Sequence, residues 1–258
     1  MNSEVATPSI SLKALNVRFG EESVLSDVNL TIQRNSCTCL IGVSASGKTV
    51  LAKTVAGLIK PSTGQVLIDD QDLHVGTNTR RRCAYDRLGF VFQRSGLLDS
   101  LPIWTNVAFR QIQRKQWNRT DAEKYAKQLL RRVGLTPDVA HLYPTDLSGG
   151  MQKRVGVARA IAGDPDILIL DDPTAGLDPI SSRAICNLIL NMRRKRPMTV
   201  LAISSDMDVA QQLSDSITLL HAGKCLWSGP GQNAAHCGHA AVEQMIARSR
   251  SGPLSLIT

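Results

Sequence analysis

The sequence predicts an α/β fold with a mostly parallel core sheet. Three short apolar runs, 167–170, 199–203 and 217–220, are separated by segments of helix length, which is the pattern of parallel strands joined by crossover helices. A further apolar run, 37–41, leads into a glycine-bearing loop and then a helical pattern. From about residue 94 to residue 163 the pattern is mainly helical, which predicts a helical subdomain inserted before the last strands.

The first part of the chain predicts a separate antiparallel β-layer. Apolar and polar residues alternate over 10–19 and again over 28–32. The runs 65–68 and 88–92 have the composition of two further strands. The helical pattern after the glycine-bearing loop extends to Leu58, and a proline soon after it predicts the end of that helix.

Within the helical subdomain, one helix has a clear predicted start. Thr120 is a candidate N-cap, and Glu123 three residues later would complete a capping box. Gly134 can end this helix. A second helix is predicted over 152–162. We therefore expect one domain over 8–235.

The last residues, 236–258, lose the periodicity of the core and are predicted to be an appended tail. A short helix near 242–247 is the exception. The six cysteines are scattered, which favours reduced thiols over a disulfide framework or a zinc site.

Composition excludes a membrane-spanning protein of the usual helical kind. The chain has 258 residues, and no stretch approaches the roughly 18 consecutive apolar residues of a spanning helix. Its start lacks the basic and apolar regions of a secretory signal, so we expect a cytosolic protein. The net charge of +8 is compatible with an anionic membrane surface or with nucleic acid, and charge alone does not decide between them.

The strongest motif follows the run 37–41 and fits G-x-x-x-x-G-K-[ST]. Its residues are Gly42, Val43, Ser44, Ala45, Ser46, Gly47, Lys48 and Thr49. Between a strand and a helix, this pattern predicts a phosphate-binding loop (P-loop) for ATP, with Lys48 on the β- and γ-phosphates and Thr49 on Mg²⁺. A merely tight turn would need the glycines but not the Lys-Thr pair.

A buried strand that ends in two acids forms the second motif. Asp171 and Asp172 follow the run 167–170. Paired with a P-loop, Asp171 is expected to hold Mg²⁺ and Asp172 to polarise the attacking water. The alternative is that an acid here caps the next helix.

The third motif, Ser148, Gly149 and Gly150, lies just before a predicted helix. Free N–H groups and the helix dipole would make it a second anion site. One nucleotide hardly needs two such sites from one chain. We therefore expect a dimer in which Ser148 of one copy covers the phosphates on the P-loop of the other.

These motifs, in this order and with "FVFQ" before "LSGGM" and "ILILDDPTAGLD" after it, resemble the ATP-binding subunit of an ABC transporter, a P-loop NTPase. The resemblance covers nearly the whole chain. It implies that Phe19 stacks on adenine, that Gln93 links Mg²⁺ and water to the transport partner, and that Asp178 crosses the dimer. Ser148 and its two glycines would then grip the γ-phosphate in trans.

Longer segments resemble the Mla or MCE-associated phospholipid transport ATPases. They are the P-loop region, with Val50 after the Mg²⁺-binding hydroxyl, "FVFQRSGLLDSLPIWTNVAF", the block around "LSGGMQKR", and the tail "VEQMIARSRSGPLS". This resemblance implies a homodimer, or a dimer with a related ATPase subunit, at the cytoplasmic face of the inner membrane. It would drive a membrane permease and act indirectly with a lipid-binding MCE-type protein.

The sequence departs from the family pattern at two residues expected to act in ATP hydrolysis and at one residue of the P-loop. Asp172 replaces a glutamate and Ser205 replaces a histidine, and Ala45 replaces a glycine in the P-loop. Aspartate is one methylene shorter, so its carboxylate lies about 1.5 Å further back, and errors of about 1 Å can cost on the order of 10²-fold in rate. The sequence therefore predicts ATP binding more firmly than fast hydrolysis.

Three other functions compete with phospholipid transport. One is a nucleotide-binding regulatory or coupling module with little hydrolysis, because of Asp172 and Ser205. Another is the ATPase of an ABC importer for a different substrate. The third is an ABC protein of DNA repair or translation, but this chain has neither their coiled-coil insertion nor a second ATPase module, so we expect no nucleic-acid partner.

Overall fold

The computed structural model describes residues 8–115, 117–249 and 251–254. The strands, in chain order, are β1 (Pro8–Phe19), β2 (Glu22–Gln33), β3 (Cys37–Ile41), β4 (Thr63–Ile68), β5 (Gln71–Asp72), β6 (Leu88–Val91), β7 (Ile167–Asp171), β8 (Thr199–Ile203), β9 (Ser216–His221) and β10 (Lys224–Pro230). The helices are α1 (Lys48–Val55), α2 (Asn78–Asp86), α3 (Ile103–Gln113), α4 (Arg119–Arg132), α5 (Gly149–Ile161), α6 (Pro179–Lys195), α7 (Met207–Leu213) and α8 (Ala240–Ile246).

The described residues form two compact units. The continuous unit is Asp86–Arg196, and the split unit combines the described residues before and after it. The predicted domain limits, 8–235 with a helical subdomain over 94–163, stay a prediction. Part of the predicted tail, residues 250 and 255–258, lies outside the described residues.

The split unit contains the predicted antiparallel β-layer. Its strand order is β2-β1-β4-β5, and β1 pairs antiparallel with both β2 and β4. The apolar residues of β2 alternate with exposed ones, so that one face of the layer is buried and the other is polar. Both strands extend beyond the predicted runs: β1 begins at Pro8, which pairs with Gln33, and β2 begins at Glu22, which pairs with Phe19.

The second sheet of the split unit has the order β10-β9-β3-β8. β3 pairs parallel with β8 on one side and with β9 on the other, and every residue of β3 and β8 is buried. Burial on both faces explains why these strands are continuous apolar runs. Since parallel strands end at the same edge, the loops after β3 and β8 lie side by side.

The continuous unit pairs β6 with β7 in parallel and adds helices α3 to α6. The predicted start of α4 is wrong. The N-cap is Asn118, whose side chain accepts a hydrogen bond from the Asp121 N–H at 3.0 Å, and Thr120 lies inside the first turn. Asparagine is a better N-cap than threonine, so the helix begins two residues earlier than the capping-box pattern indicated.

Two other helix limits differ from the prediction. α1 ends at Val55 rather than Leu58, because the chain turns through Gly57 at φ +73° and the Leu58 N–H bonds back to the Lys53 carbonyl. α5 begins at Gly149 rather than residue 152, because its cap is Ser148. Within the described part of the chain, no helix has the length and apolar character needed to cross a membrane.

Candidate functional site

The predicted P-loop lies between β3 and α1, as its motif requires. Gly42 has φ +156°, and a Cβ there would lie 2.1 Å from the Leu220 carbonyl oxygen. Gly47 is the N-cap of α1 with φ +100°, and a Cβ there would lie 2.8 Å from the Leu25 side chain. Both conformations and both close approaches favour glycine. The two glycines of the motif are therefore required by packing as well as by phosphate binding.

Lys48 is the first residue of α1, and its ammonium group lies against the loop. Its Nζ donates hydrogen bonds to the Gly42 carbonyl at 2.9 Å, the Val43 carbonyl at 2.7 Å and the Ser46 hydroxyl at 3.1 Å. This geometry places the positive charge directly beside the backbone that would hold phosphates. The structure therefore positions Lys48 for the role that the motif predicts.

The substitution of alanine for glycine in the P-loop has a visible conformational consequence. Ala45 adopts φ +60°, in the left-handed region that glycine occupies more readily. The loop thus keeps its left-handed residue although the side chain has changed. The departure at this position is mild, because alanine carries only a Cβ.

A cavity of about 290 Å³ lies over the P-loop and the start of α1. It is lined by Glu22, Val24 and the segment from Ala45 to Val50, which includes Ser46, Lys48 and Thr49. Phe19 pairs with Glu22 across the β1–β2 turn, and about half of its side chain is exposed. Glu22, the strand partner of Phe19, thus lines the cavity over the phosphate loop. The stacking of Phe19 on adenine stays a prediction.

Ser205 lies just beyond the end of β8 and is exposed. A second cavity, of about 310 Å³, is shared by Ser205 and the first three residues of the P-loop, Gly42, Val43 and Ser44. Because β3 and β8 pair in parallel, the P-loop after β3 and Ser205 after β8 lie at the same edge of the sheet. Ser205 and the P-loop therefore line one cavity, and the expected role of Ser205 in hydrolysis stays a prediction.

In the continuous unit, the two acids sit where the strand pattern predicts. Asp171 ends β7 and is buried, and Asp172 is 8% exposed with φ +45°. Aspartate and asparagine tolerate this left-handed region better than most residues, glutamate included. The cap alternative for this pair is wrong, because the N-cap of the next helix, α6, is Asp178.

Asp178 accepts hydrogen bonds from the backbone N–H groups of Ile180 and Ser181, both at 2.9 Å. The hydrogen bonds from Ser181 hold the pKa of the Asp178 carboxyl below its usual value. This residue therefore has a structural function in its own chain. Its predicted contact across a dimer stays a prediction.

The signature residues begin α5 in the geometry of an anion site. Ser148 is the N-cap, and its hydroxyl accepts a hydrogen bond from the Met151 N–H at 3.3 Å. Gly149 and Gly150 form the first turn, and neither position would bring a Cβ into close contact with its own chain. The absence of side chains there leaves the helix N-terminus accessible to a second molecule.

Sequence reasoning missed Lys153, on the buried side of α5. Its Nζ donates a hydrogen bond to the backbone carbonyl of Gln93. Burial lowers the pKa of Lys153, and the carboxylates of Asp172 and Asp171 act in the opposite direction. The side chain thus links three of the predicted site residues within the continuous unit.

The residues predicted for Mg²⁺ carry suitable donor atoms. Thr49 offers a hydroxyl, Asp171 a carboxylate and Gln93 an amide oxygen. Oxygen ligands of this kind are the ones that Mg²⁺ prefers. The donor set therefore fits the metal that accompanies ATP in P-loop proteins.

Residues 25–175 match the family described as "ABC transporter". The chain is 37% identical to the methionine import ATP-binding protein MetN of Bradyrhizobium diazoefficiens over 91% of its own length and 68% of that protein. It is 36% identical to MetN 1 of Rhodococcus jostii over 86% of its own length and 66% of that protein. It spans only 59% of MetN 1 from Yersinia pestis.

Among solved structures, the chain is similar to the ATP-binding cassette MJ0796, in a dimeric post-hydrolysis state bound to ADP and phosphate. The TM-score is 0.78 at 29% identity, covering 86% of this chain and 98% of that one. This likeness confirms the predicted fold class, a P-loop cassette with mixed sheets and helices.

Proposed function

The chain belongs to the ABC transporter family, and we propose that it is the ATP-hydrolysing subunit of an ABC importer. The observation that carries this proposal is the P-loop, where Lys48 lies over the loop backbone and two constrained glycines shape it. ATP is the nucleotide that this family binds. ATP hydrolysis would drive a membrane permease to which the chain is attached at the cytoplasmic face.

The expectation of phospholipid transport is not supported by the relatives described above. These relatives carry the name methionine import ATP-binding protein. The importer for another substrate, which was the alternative, therefore fits better. No MCE-type lipid-binding partner is proposed, and methionine is the first substrate to test.

The P-loop and Lys48 would bind the β- and γ-phosphates, and Phe19 would hold adenine. Thr49, Asp171 and Gln93 would hold Mg²⁺, which when bound neutralises charge on the phosphates. Asp172 would orient the attacking water. Ser148, Gly149 and Gly150 of a second copy would close over the γ-phosphate, so that the working unit is a dimer.

A second candidate is a coupling module that binds ATP and hydrolyses it little. Two observations favour it: Asp172 has a short carboxylate on a left-handed backbone, and Ser205 has no ring that can become cationic. The two candidates share the P-loop and the dimer. They differ in the rate at which phosphate is released from ATP.

The experiment that tests the proposal is isolation of the tagged chain from membranes, followed by identification of the integral membrane protein and the small molecule that accompany it. The purified assembly is then reconstituted in vesicles. We expect ATP-dependent uptake of methionine or a related amino acid, and none with Lys48→Ala. ATP-dependent movement of labelled phospholipid instead would restore the lipid hypothesis, and the lack of any permease would contradict the transporter proposal.

A further inference from the structure

The end of the chain forms one wall of the cavity that Ser205 shares with the P-loop. We call residues 244–249 and 251–254 the tail segment. The cavity has a volume of about 310 Å³. Its lining from the tail segment consists of Gln244, Met245, Arg248, Ser249 and Leu254. The first P-loop residues therefore face a part of the chain that no nucleotide motif includes.

The tail segment is fixed in place by a buried amide. The Gln244 side chain accepts a hydrogen bond from the Leu254 N–H at 2.8 Å and donates one to the Leu254 carbonyl at 3.2 Å. Gln244 and Leu254 are both buried. A buried amide that satisfies its donor and its acceptor on one residue holds that residue firmly. The wall of the cavity is thus a defined structure.

Arg248 occupies a position where local structure favours glycine. It follows α8 in a Schellman motif, in which the Arg248 N–H bonds to the Met245 carbonyl and the Ser249 N–H bonds to the Gln244 carbonyl. Its φ is +53°, in the left-handed region. Glycine is the usual residue at this point because it has no Cβ penalty. Helix termination therefore does not account for an arginine here.

The Arg248 guanidinium is held by two carboxylates next to Ser205. Its Nη2 lies 2.8 Å from Asp208 Oδ2 and 3.2 Å from Asp206 Oδ1. All three side chains are largely exposed, so these ion pairs are weak and can exchange for a stronger anion. A terminal phosphate carries more charge than a carboxylate and accepts the two-pronged hydrogen bonds that arginine donates.

We propose that Arg248 is a ligand of the terminal phosphate of ATP bound on the P-loop of the same chain. It would supply the cation that Ser205 lacks at that end of the site. Three observations carry this inference: the shared cavity with Gly42, Val43 and Ser44, the exchangeable ion pairs, and an arginine in a glycine-type conformation. The inference deepens the proposed function and rests on its claim that this P-loop binds ATP.

The test is the affinity of the full chain for ATP and for ADP, each measured with Mg²⁺ by calorimetry. The first variant is Arg248→Gly, which fits the left-handed backbone and so keeps the helix end folded. The second is Arg248→Gln, which keeps much of the side-chain volume. We expect ATP binding to weaken about tenfold in both, the effect of losing one charge-assisted hydrogen bond, and ADP binding to change less than about twofold.

Two controls separate phosphate binding from a structural tether. Asp206→Asn with Asp208→Asn breaks the ion pairs but keeps the cation and a capping side chain at 206, so ATP affinity should hold or rise. Arg34→Gln removes a cation from another exposed Arg–Asp pair, with Asp69, and should change nothing.

Three results would overturn the inference. They are unchanged ATP affinity in both Arg248 variants, equal losses for ATP and ADP, or the same loss in the double asparagine variant. The first would leave the proposed function intact if the wild type binds ATP. Failure of the wild type and of Arg34→Gln to bind ATP would instead overturn the proposed function, and the inference with it.

Discussion

The Lys153 ammonium group donates a hydrogen bond to the backbone carbonyl of Gln93, sixty positions earlier in the chain. Lys153 is buried on α5, the helix whose N-terminus carries the signature residues. Gln93 lies two residues after the end of β6 and is a candidate Mg²⁺ ligand. Within the continuous unit, a single side chain therefore connects the signature helix with the segment expected to communicate with the permease.

Replacing Lys153 with methionine should lower the stability of the chain. Methionine keeps the length of the side chain but leaves the Gln93 carbonyl without this donor, which typically costs about 1–3 kcal/mol. Thermal unfolding followed by circular dichroism measures the effect. Lys124→Met, an exposed lysine on α4, is the matched control and should unfold like the wild type. Equal unfolding temperatures for the two variants would show that the Lys153 hydrogen bond contributes nothing.

Ser148→Arg should prevent ATP-dependent dimerisation. The wild type is expected to be largely monomeric alone and to dimerise with ATP and Mg²⁺, because nucleotide completes each composite site. Arginine at residue 148 would place bulk where the γ-phosphate of the second copy docks. Analytical ultracentrifugation with and without ATP measures the change.

The control for Ser148→Arg must also lose a helix cap, since Ser148 is the N-cap of α5. Asn118→Arg removes the N-cap of α4 and adds the same charge, and it should still dimerise. If Ser148→Arg dimerises with ATP as the wild type does, the model in which the signature acts in trans is wrong.

The segment 95–109, just after Gln93, is predicted to dock the membrane partner. Leu98 is among the exposed large apolar residues, whereas Leu101 and Trp104 are half-buried. The Leu98→Glu and Leu101→Glu variants should detach the chain from its permease and spare ATP binding. Co-purification from membranes measures attachment. Val75→Glu, at another exposed apolar residue, should stay attached, and loss of ATP binding in both leucine variants would indicate core packing instead.

The sequence predicted the contiguous parts of this molecule well. The limits of β3 and β8 agree to the residue, because strands buried on both faces are continuous apolar runs. The position of the P-loop was equally predictable, since its glycines, lysine and threonine are close together in the chain. Local patterns of this kind need no knowledge of tertiary contacts.

Features that depend on distant residues were not predictable. The role of Lys153 depends on a hydrogen bond to the Gln93 carbonyl, sixty positions away in the chain, which no local pattern indicates. The tail segment lines the P-loop cavity although about two hundred residues separate the two in the chain, and no pattern in the tail predicts this contact. The predicted N-cap of α4 was wrong for a different reason. Asn118 and Thr120 are both good N-cap residues, and spacing alone did not rank them.

The wild type should bind ATP well and hydrolyse it at less than roughly 1 s⁻¹, the low end of ordinary enzymes. The double change Asp172→Glu with Ser205→His should raise turnover by more than the product of the single changes, because the two groups act as a unit. Each single change should help little, because neither group is effective without the other. Phosphate release under steady-state conditions measures all four proteins.

A wild-type rate of about 1 s⁻¹ or more, or a double variant slower than the wild type, would show that Asp172 and Ser205 have a working geometry of their own. The two residues would then be adaptations rather than defects. A wild-type rate of about 1 s⁻¹ or more would also favour the transporter ATPase over the coupling module.

Residues 42–49 are expected to bind ATP, and comparing the ATP affinity of the wild type with that of Lys48→Ala tests this without involving the permease. Lys48 is the P-loop cation, and its removal leaves only the backbone to hold a highly charged ligand. Lys53→Ala, on the same helix, is the matched control. We predict affinity at least about tenfold weaker in Lys48→Ala and unchanged in Lys53→Ala. Equal ATP affinity in the wild type and Lys48→Ala would show that residues 42–49 do not form the ATP site.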